Sequence, residues 1–82
     1  MIKKLDRIEI VSHKEIKLFY QSGEIRLFDI TPYLKGNFMG RMADPAYFRR
    51  AAIEPGTGDT ICWPEGQDIA PHELYDFSRK VE

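Results

Sequence analysis

The stretch "EIKLFYQSGEIRLFDI", residues 15–30, decides how the rest of the chain is read. Two runs rich in β-branched and aromatic residues flank Ser22-Gly23, and a glycine at that place supplies the positive φ that a tight hairpin needs. With Ser22 and Gly23 at the tip, Tyr20 faces Ile25, Leu18 faces Leu27 and Ile16 faces Asp29. Side chains alternate along a strand, so these six fall on one side of the sheet, the expected core face. Phe19, Phe28 and Ile30 then share the other side with Lys17 and Arg26. That second face is half apolar and calls for a partial cover, from a helix or from another chain, which makes Phe19, Phe28 and Ile30 the expected partner-binding group.

Upstream, "LDRIEIVS" (residues 5–12) alternates with Ile8 and Ile10 on one face and Arg7, Glu9 and Val11 on the other, which predicts a third strand and a meander. Downstream, "TPYLKGNFMGRM" (31–42) offers Thr31 as an N-cap and Pro32 as the first helical residue, with a stop at Gly36. "ADPAYFRRAAI" (43–53) repeats the device with Asp44 and Pro45, predicting a short helix to about Ala51 with Tyr47, Phe48 and Ala51 turned inward. A second hairpin follows in "AIEPGTGDTICW" (52–63), its return strand running from Thr60 to Trp63. Over 71–81 the spacing of Leu74, Phe77 and Val81, with Tyr75 beside them, predicts an amphipathic C-terminal helix, and Glu73, Arg79 and Lys80 suit its dipole. The expected fold is α+β in a single domain, 1–82: an antiparallel sheet built of a three-stranded meander plus a short hairpin, short helices in the middle and a helix at the end.

Composition narrows the function classes. The 82 residues carry 43% hydrophobic side chains, enough for one small core and too many for a disordered chain. Twelve basic against thirteen acidic residues leave a charge of −1, without the positive field that drives sequence-independent binding to phosphate backbones. One cysteine, Cys62, excludes an internal disulfide and has no neighbouring Cys or His to build a zinc site. The N-terminal twenty residues place charges every few positions, so no leader peptide or membrane span is expected, and the cytoplasm is the expected location.

The segment "CWPEGQDIAPHELY", residues 62–75, concentrates unusual residues and invites a chemical reading. Each has a structural role first. Trp63 closes a strand, Pro64 to Gln67 make a turn, Asp68 brings a carboxylate toward the next helix, and Pro71 opens that helix. Ala70 stands at the cap, where a serine would satisfy a free amide. The pattern W-P-x-G-x-D-I-x-P-x-x-L-Y, carried by Trp63, Pro64, Gly66, Asp68, Ile69, Pro71, Leu74 and Tyr75, resembles the domain-of-unknown-function 2442 family. The order of "FDITPYL", "DPAYFRRAAI" and "TICWPEGQDIAPHELY" extends that resemblance along nearly the whole chain. Ala70, where Ser is more familiar, and His72, where an acid is common, depart from the pattern. The resemblance implies a small bacterial α+β domain with no assigned catalytic residues. It also implies a partner, since relatives are often encoded beside a second small family in toxin–antitoxin-like pairs.

Chemical constellations are sparse. Cys62 and His72 lack a third group to orient them and an oxyanion hole. His13 and His72 lack metal-ligand spacing, so neither a metal nor a cofactor is expected. Asp29, Asp44 and Asp68 each stand where a turn or helix start favours an acid; Asp29, placed on the core face, needs partners, for which the amides of the Thr31-Pro32 turn are nearest. Arg41, Arg49 and Arg50 form the densest basic group. The expected function is a non-enzymatic binding module, the antitoxin-like or regulatory member of a two-gene pair, or a homo-oligomer. A nucleic-acid-associated regulator using the three arginines is the alternative, and a small enzyme at the Trp63 turn a distant one.

Overall fold

The computed structural model describes residues 3–81, so the outermost positions of the expected 1–82 domain lie outside the described residues. The architecture is α+β. Strands β1 (Leu5–Ile10), β2 (Glu15–Tyr20) and β3 (Ile25–Asp29) form the antiparallel meander. A run of short helical pieces follows: a 3-10 turn at Thr31–Tyr33, helix α1 (Gly36–Gly40), a second 3-10 turn at Arg41–Ala43, and α2 (Pro45–Phe48). The hairpin of β4 (Ala52–Ile53) and β5 (Ile61–Cys62) makes a separate two-stranded sheet. Helix α3 (Pro71–Asp76) then leads into β6 (Arg79–Lys80), which pairs with β3 and completes a four-stranded sheet in the order β1-β2-β3-β6.

The β2–β3 register differs by one residue from the expected one. Phe19 faces Ile25, Leu18 faces Arg26, Lys17 faces Leu27 and Ile16 faces Phe28. The cause is the loop. Tyr20 N–H donates to the Glu24 carbonyl at 3.0 Å and Gly23 N–H to the Tyr20 carbonyl at 2.9 Å, so residues 21–23 form the loop and Gln21 belongs to it. Gly23, at φ 96°, is the left-handed residue that ends a three-residue loop of this kind. One extra loop residue turns every β3 side chain to the opposite face. Phe28 and Ile30 are therefore core residues, 1% and 0% exposed, packed with Ile16, Leu18 and Tyr20. Ile25, Leu27 and Asp29, expected inside, share the other face with Phe19.

The same loop recurs at the signature turn. Trp63 N–H donates to the Gln67 carbonyl at 2.9 Å, Gly66 N–H donates to the Trp63 carbonyl at 3.0 Å, and Gly66 has φ 104°. In β1, the register shifts between Leu5 and Arg7, and this bulge at Asp6 lets Leu5 and Ile8 point to the same face although they are an odd number of residues apart.

Three further expectations are corrected. The Thr31-Pro32 start is a 3-10 turn without a Thr31 cap; Asp29 takes that role, its Oδ1 accepting from Thr31 N–H at 2.8 Å. Gly36, expected as a stop, has φ 73° and opens α1 instead. The C-terminal helix ends at Asp76, so the Leu74–Phe77–Val81 stripe does not exist: Leu74 is buried, Phe77 is 69% exposed and Val81 N–H donates to the Ile25 carbonyl. Arg26 explains the stop. Its Nε donates to Ser78 Oγ at 2.7 Å and its guanidinium reaches the Ser78 carbonyl at 2.6 Å, while Ser78 Oγ donates to the Tyr75 carbonyl at 2.7 Å. These bonds divert the chain from helix to strand. By contrast, Asp44 caps α2 as expected, accepting from Ala46 N–H at 3.1 Å, with Tyr47 and Phe48 buried.

Candidate functional site

All helices and the β4–β5 hairpin contribute to one core, made of Ile16, Leu18, Tyr20, Phe28, Ile30, Phe48, Trp63 and Leu74 among others. The opposite face of the four-stranded sheet carries a second set of apolar side chains. Following the register across the strands, one row runs Arg7, Phe19, Ile25, Val81 and the next runs Glu9, Lys17, Leu27, Arg79. Val11, 46% exposed, extends the apolar part at one end. Val11, Lys17, Leu27 and Val81 line an open groove of about 290 Å³ on this face. Phe19 is half-buried because its own neighbours lie on it: the Arg7 guanidinium stands 3.7 Å from the ring centroid and Lys17 Nζ 5.4 Å. Of the three residues expected to make the patch, Phe19 is on this face and Phe28 and Ile30 are in the core. The residues that replace them, Ile25, Leu27 and Val81, follow from the loop length and from β6.

Trp63, Gln67, Ile69 and Leu74 of the signature segment are built into the core. Trp63 Nε1 donates to the Phe48 carbonyl at 3.0 Å, and the two rings stack with centroids 6.0 Å apart. Gln67, fully buried, accepts from Tyr47 Oη at 2.6 Å and donates to the Phe38 carbonyl at 2.9 Å, while Tyr47 Oη accepts from Glu65 N–H. Thr60 Oγ1 donates to the Ile69 carbonyl. Gln67 was hidden in the sequence as one more turn residue, although its place after Gly66 matches that of Glu24 after Gly23. Pro64, Gly66 and Asp68 are exposed, Pro71 and Tyr75 half-buried and Leu74 buried; α3 has no side-chain cap, so Asp68 does not serve it.

The Cys62 thiol is pushed up by burial first and then by the Glu54 carboxylate, the reverse of what a nucleophile needs. His72 is exposed, and no hydrogen bond joins it to Cys62 among the described residues. No group of three or more His, Cys, Asp or Glu side chains placed to hold a metal occurs among the described residues. Asp29 is exposed rather than on the core face, but its partner is the expected Thr31, whose hydrogen bonding holds the carboxyl below its usual range. Tyr33 donates to Glu73 at 2.9 Å, joining the first 3-10 turn to α3, and burial with this carboxylate pushes the phenol up to about 12.

The most polar cluster lies where β3 meets α3. Glu24 bonds Arg26 at 2.7 Å and accepts from Tyr75 Oη at 2.6 Å, and the Arg26 guanidinium stands 4.3 Å from the Tyr75 ring centroid. The Tyr75 bond, then Arg26, holds the Glu24 carboxyl below its usual range. Tyr20 packs edge-on against Tyr75 at 5.4 Å. This cluster anchors α3 to the sheet.

The three arginines have different surroundings. Arg41 bonds Asp44 at 3.3 Å and Glu65 at 3.1 Å and lies over the Tyr47 ring at 4.3 Å. Arg49 borders a different groove, with Ile10, Val11, Ser12 and His13. Arg50 is exposed.

These features define a class: a small α+β domain whose sheet is covered on one side and carries apolar side chains on the other. The chain belongs to the family described as protein of unknown function (DUF2442), which matches residues 5–80. No curated protein and no solved structure matches it. No helix among the described residues is long and apolar enough to cross a membrane.

Proposed function

We propose that this chain is a non-enzymatic binding module of the cytoplasm that acts by protein–protein contact through the outer face of its sheet. Its cellular role in this reading is that of the regulatory or antitoxin-like member of a two-gene pair, its partner the neighbouring gene's product. The observation that carries the reading is the row of Phe19, Ile25 and Val81 beside Leu27 and Val11 on the face away from the core. An apolar surface bordered by charges, here Arg7, Glu9 and Arg79, with Lys17 among its apolar side chains, is the usual composition of an interface rather than of a solvated sheet.

The test is co-purification with the neighbouring gene's product, comparing the wild-type chain with Leu27→Glu. Leu27 is half-buried on the outer face and outside the core, and circular dichroism checks that the substitution leaves the fold intact. A stoichiometric complex that survives moderate salt and is lost in Leu27→Glu is the expected result. An unaffected complex, or recovery of salt-labile nucleic acid in place of a protein, overturns the proposal.

A further inference from the structure

β1 is one outer strand of the four-stranded sheet, and at six residues it is the longer of the two edges, since β6 has two. Val11 N–H bonds the Glu15 carbonyl at the β1–β2 hairpin, and the ladder alternates from there. That alternation aims the backbone groups of Glu9 and Arg7 at β2 and those of Ile8 and Ile10 outward. Within the chain this edge is hydrogen-bonded at its start, where Leu5 N–H donates to the Gly58 carbonyl at 2.8 Å, and β4 packs against β1. No backbone hydrogen bond joins Ile8 or Ile10 to the 54–58 turn among the described residues.

An open edge of this length is normally blunted by charge, and β1 does carry Asp6, Arg7 and Glu9. Their order, however, is self-complementary. If two copies of β1 pair antiparallel about a twofold axis at Ile8, the outward N–H and C=O groups of Ile8 bond those of the partner's Ile8. On the outer face, Arg7 then stands opposite the partner's Glu9, and Glu9 opposite the partner's Arg7. An axis at Arg7 or at Glu9 would set like charges face to face, and an odd register would bring the core face of one chain against the outer face of the other. The same twofold carries the partner's 54–58 turn, which closes the edge beside Leu5, toward the open groove lined by Ile10, Val11, Ser12, His13 and Arg49 at the other end of the strand. That contact, made twice, adds area that a five-residue ladder alone lacks for a stable interface.

We infer that the chain dimerises through its β1 edges, in the register centred on Ile8, to form one continuous eight-stranded sheet. The pairing edge borders the outer face and shares Arg7 and Glu9 with its rim, but the inference stands without the proposed function. Arg7 and Glu9 are bonded at 3.5 Å within one chain, with side chains 58% and 52% exposed, so substituting either spares the core.

The experiment is sedimentation velocity across a range of concentrations on the wild-type chain, on Arg7→Glu, on Glu9→Arg, and on an equimolar mixture of the two variants. The wild type is expected to dimerise. Each single variant places two repulsive pairs in the interface, and its self-association is expected to weaken about tenfold or more. In the mixture both outer-face pairs become attractive again, so a one-to-one heterodimer forms, an outcome that no contact within one chain can produce. A monomeric wild type at every concentration overturns the inference. So does a mixture that associates no better than its components, or a pair of variants that dimerise as well as the wild type.

Discussion

Replacing Phe28 and Leu27 in turn by alanine tests the register of the sheet, because the two neighbours point to opposite faces. Phe28 is 1% exposed, lies in the core and packs its ring 5.5 Å from that of Tyr33. Removing a buried phenylalanine costs about 3–5 kcal/mol, of which the ring contact supplies roughly 0.5–1.5 kcal/mol. Leu27 lies half-exposed on the outer face, and there the same truncation costs about 1 kcal/mol, since only part of its surface leaves water on folding. For an 82-residue domain with a total stability of roughly 4–12 kcal/mol, Phe28→Ala removes a large share and Leu27→Ala a small one. Urea unfolding followed by the fluorescence of Trp63, which is 3% exposed and leaves its stack on Phe48 when the chain unfolds, measures both. The reasoning fails if Leu27→Ala costs as much as Phe28→Ala or more, which is the signature of the two-residue turn and the opposite face assignment.

Glycine substitutions are expected to act with opposite signs: Gly23→Ala, at φ +96° with open space around its Cβ, lowers stability by about 1–2 kcal/mol through backbone strain alone, and thermal melts should register it. Gly40→Ala, at φ −64° with equal space, raises stability by about 0.4–1 kcal/mol in the same assay. Gln67→Leu strips the Tyr47 hydroxyl of its acceptor and the Phe38 carbonyl of its donor, so the urea midpoint should fall by the equivalent of roughly 2–4 kcal/mol, whereas Gln21→Leu in the exposed loop should leave it nearly unchanged. Glu24 and Asp29 are held below their ordinary values of 4.5 and 3.8, so the unfolded chain binds more protons in acid. Their contribution is therefore complete above those values and lost as pH falls through them toward the lowered folded-state values. Melting temperatures of the wild type and of Glu24→Gln over that acid range should show a shallower decline in the variant, and parallel curves would remove Glu24 from the account.

The elements were legible where the signal was local. Asp44-Pro45 announced α2, Pro71 announced α3, and alternation announced the three strands of the meander, because caps, proline geometry and period two depend on neighbours in the chain. The face of β3 was not legible for a specific reason: Ser22-Gly23 marks a turn equally well whether Gln21 belongs to the strand or to the loop, and one residue exchanges Leu27 for Phe28. The end of α3 was hidden differently. Helical spacing at Leu74, Phe77 and Val81 is real in the sequence, but Arg26 bonds Ser78 from a strand 52 residues away and redirects the chain. Long-range polar contacts leave no periodic trace. The outer face of the sheet was anticipated in kind, half apolar with Phe19 and Lys17 on it, and misassigned in its remaining members for the same one-residue reason.

The most direct test of the outer face as the working surface is a methyl NMR titration of the labelled chain with its neighbouring-gene partner. The account predicts shifts and broadening concentrated at Val11, Ile25, Leu27 and Val81, with Ile16, Leu18, Ile61 and Leu74 unmoved in the core. Changes centred on Ile69, Leu74 and the 63–70 turn, with Ile25, Leu27 and Val81 silent, would contradict it.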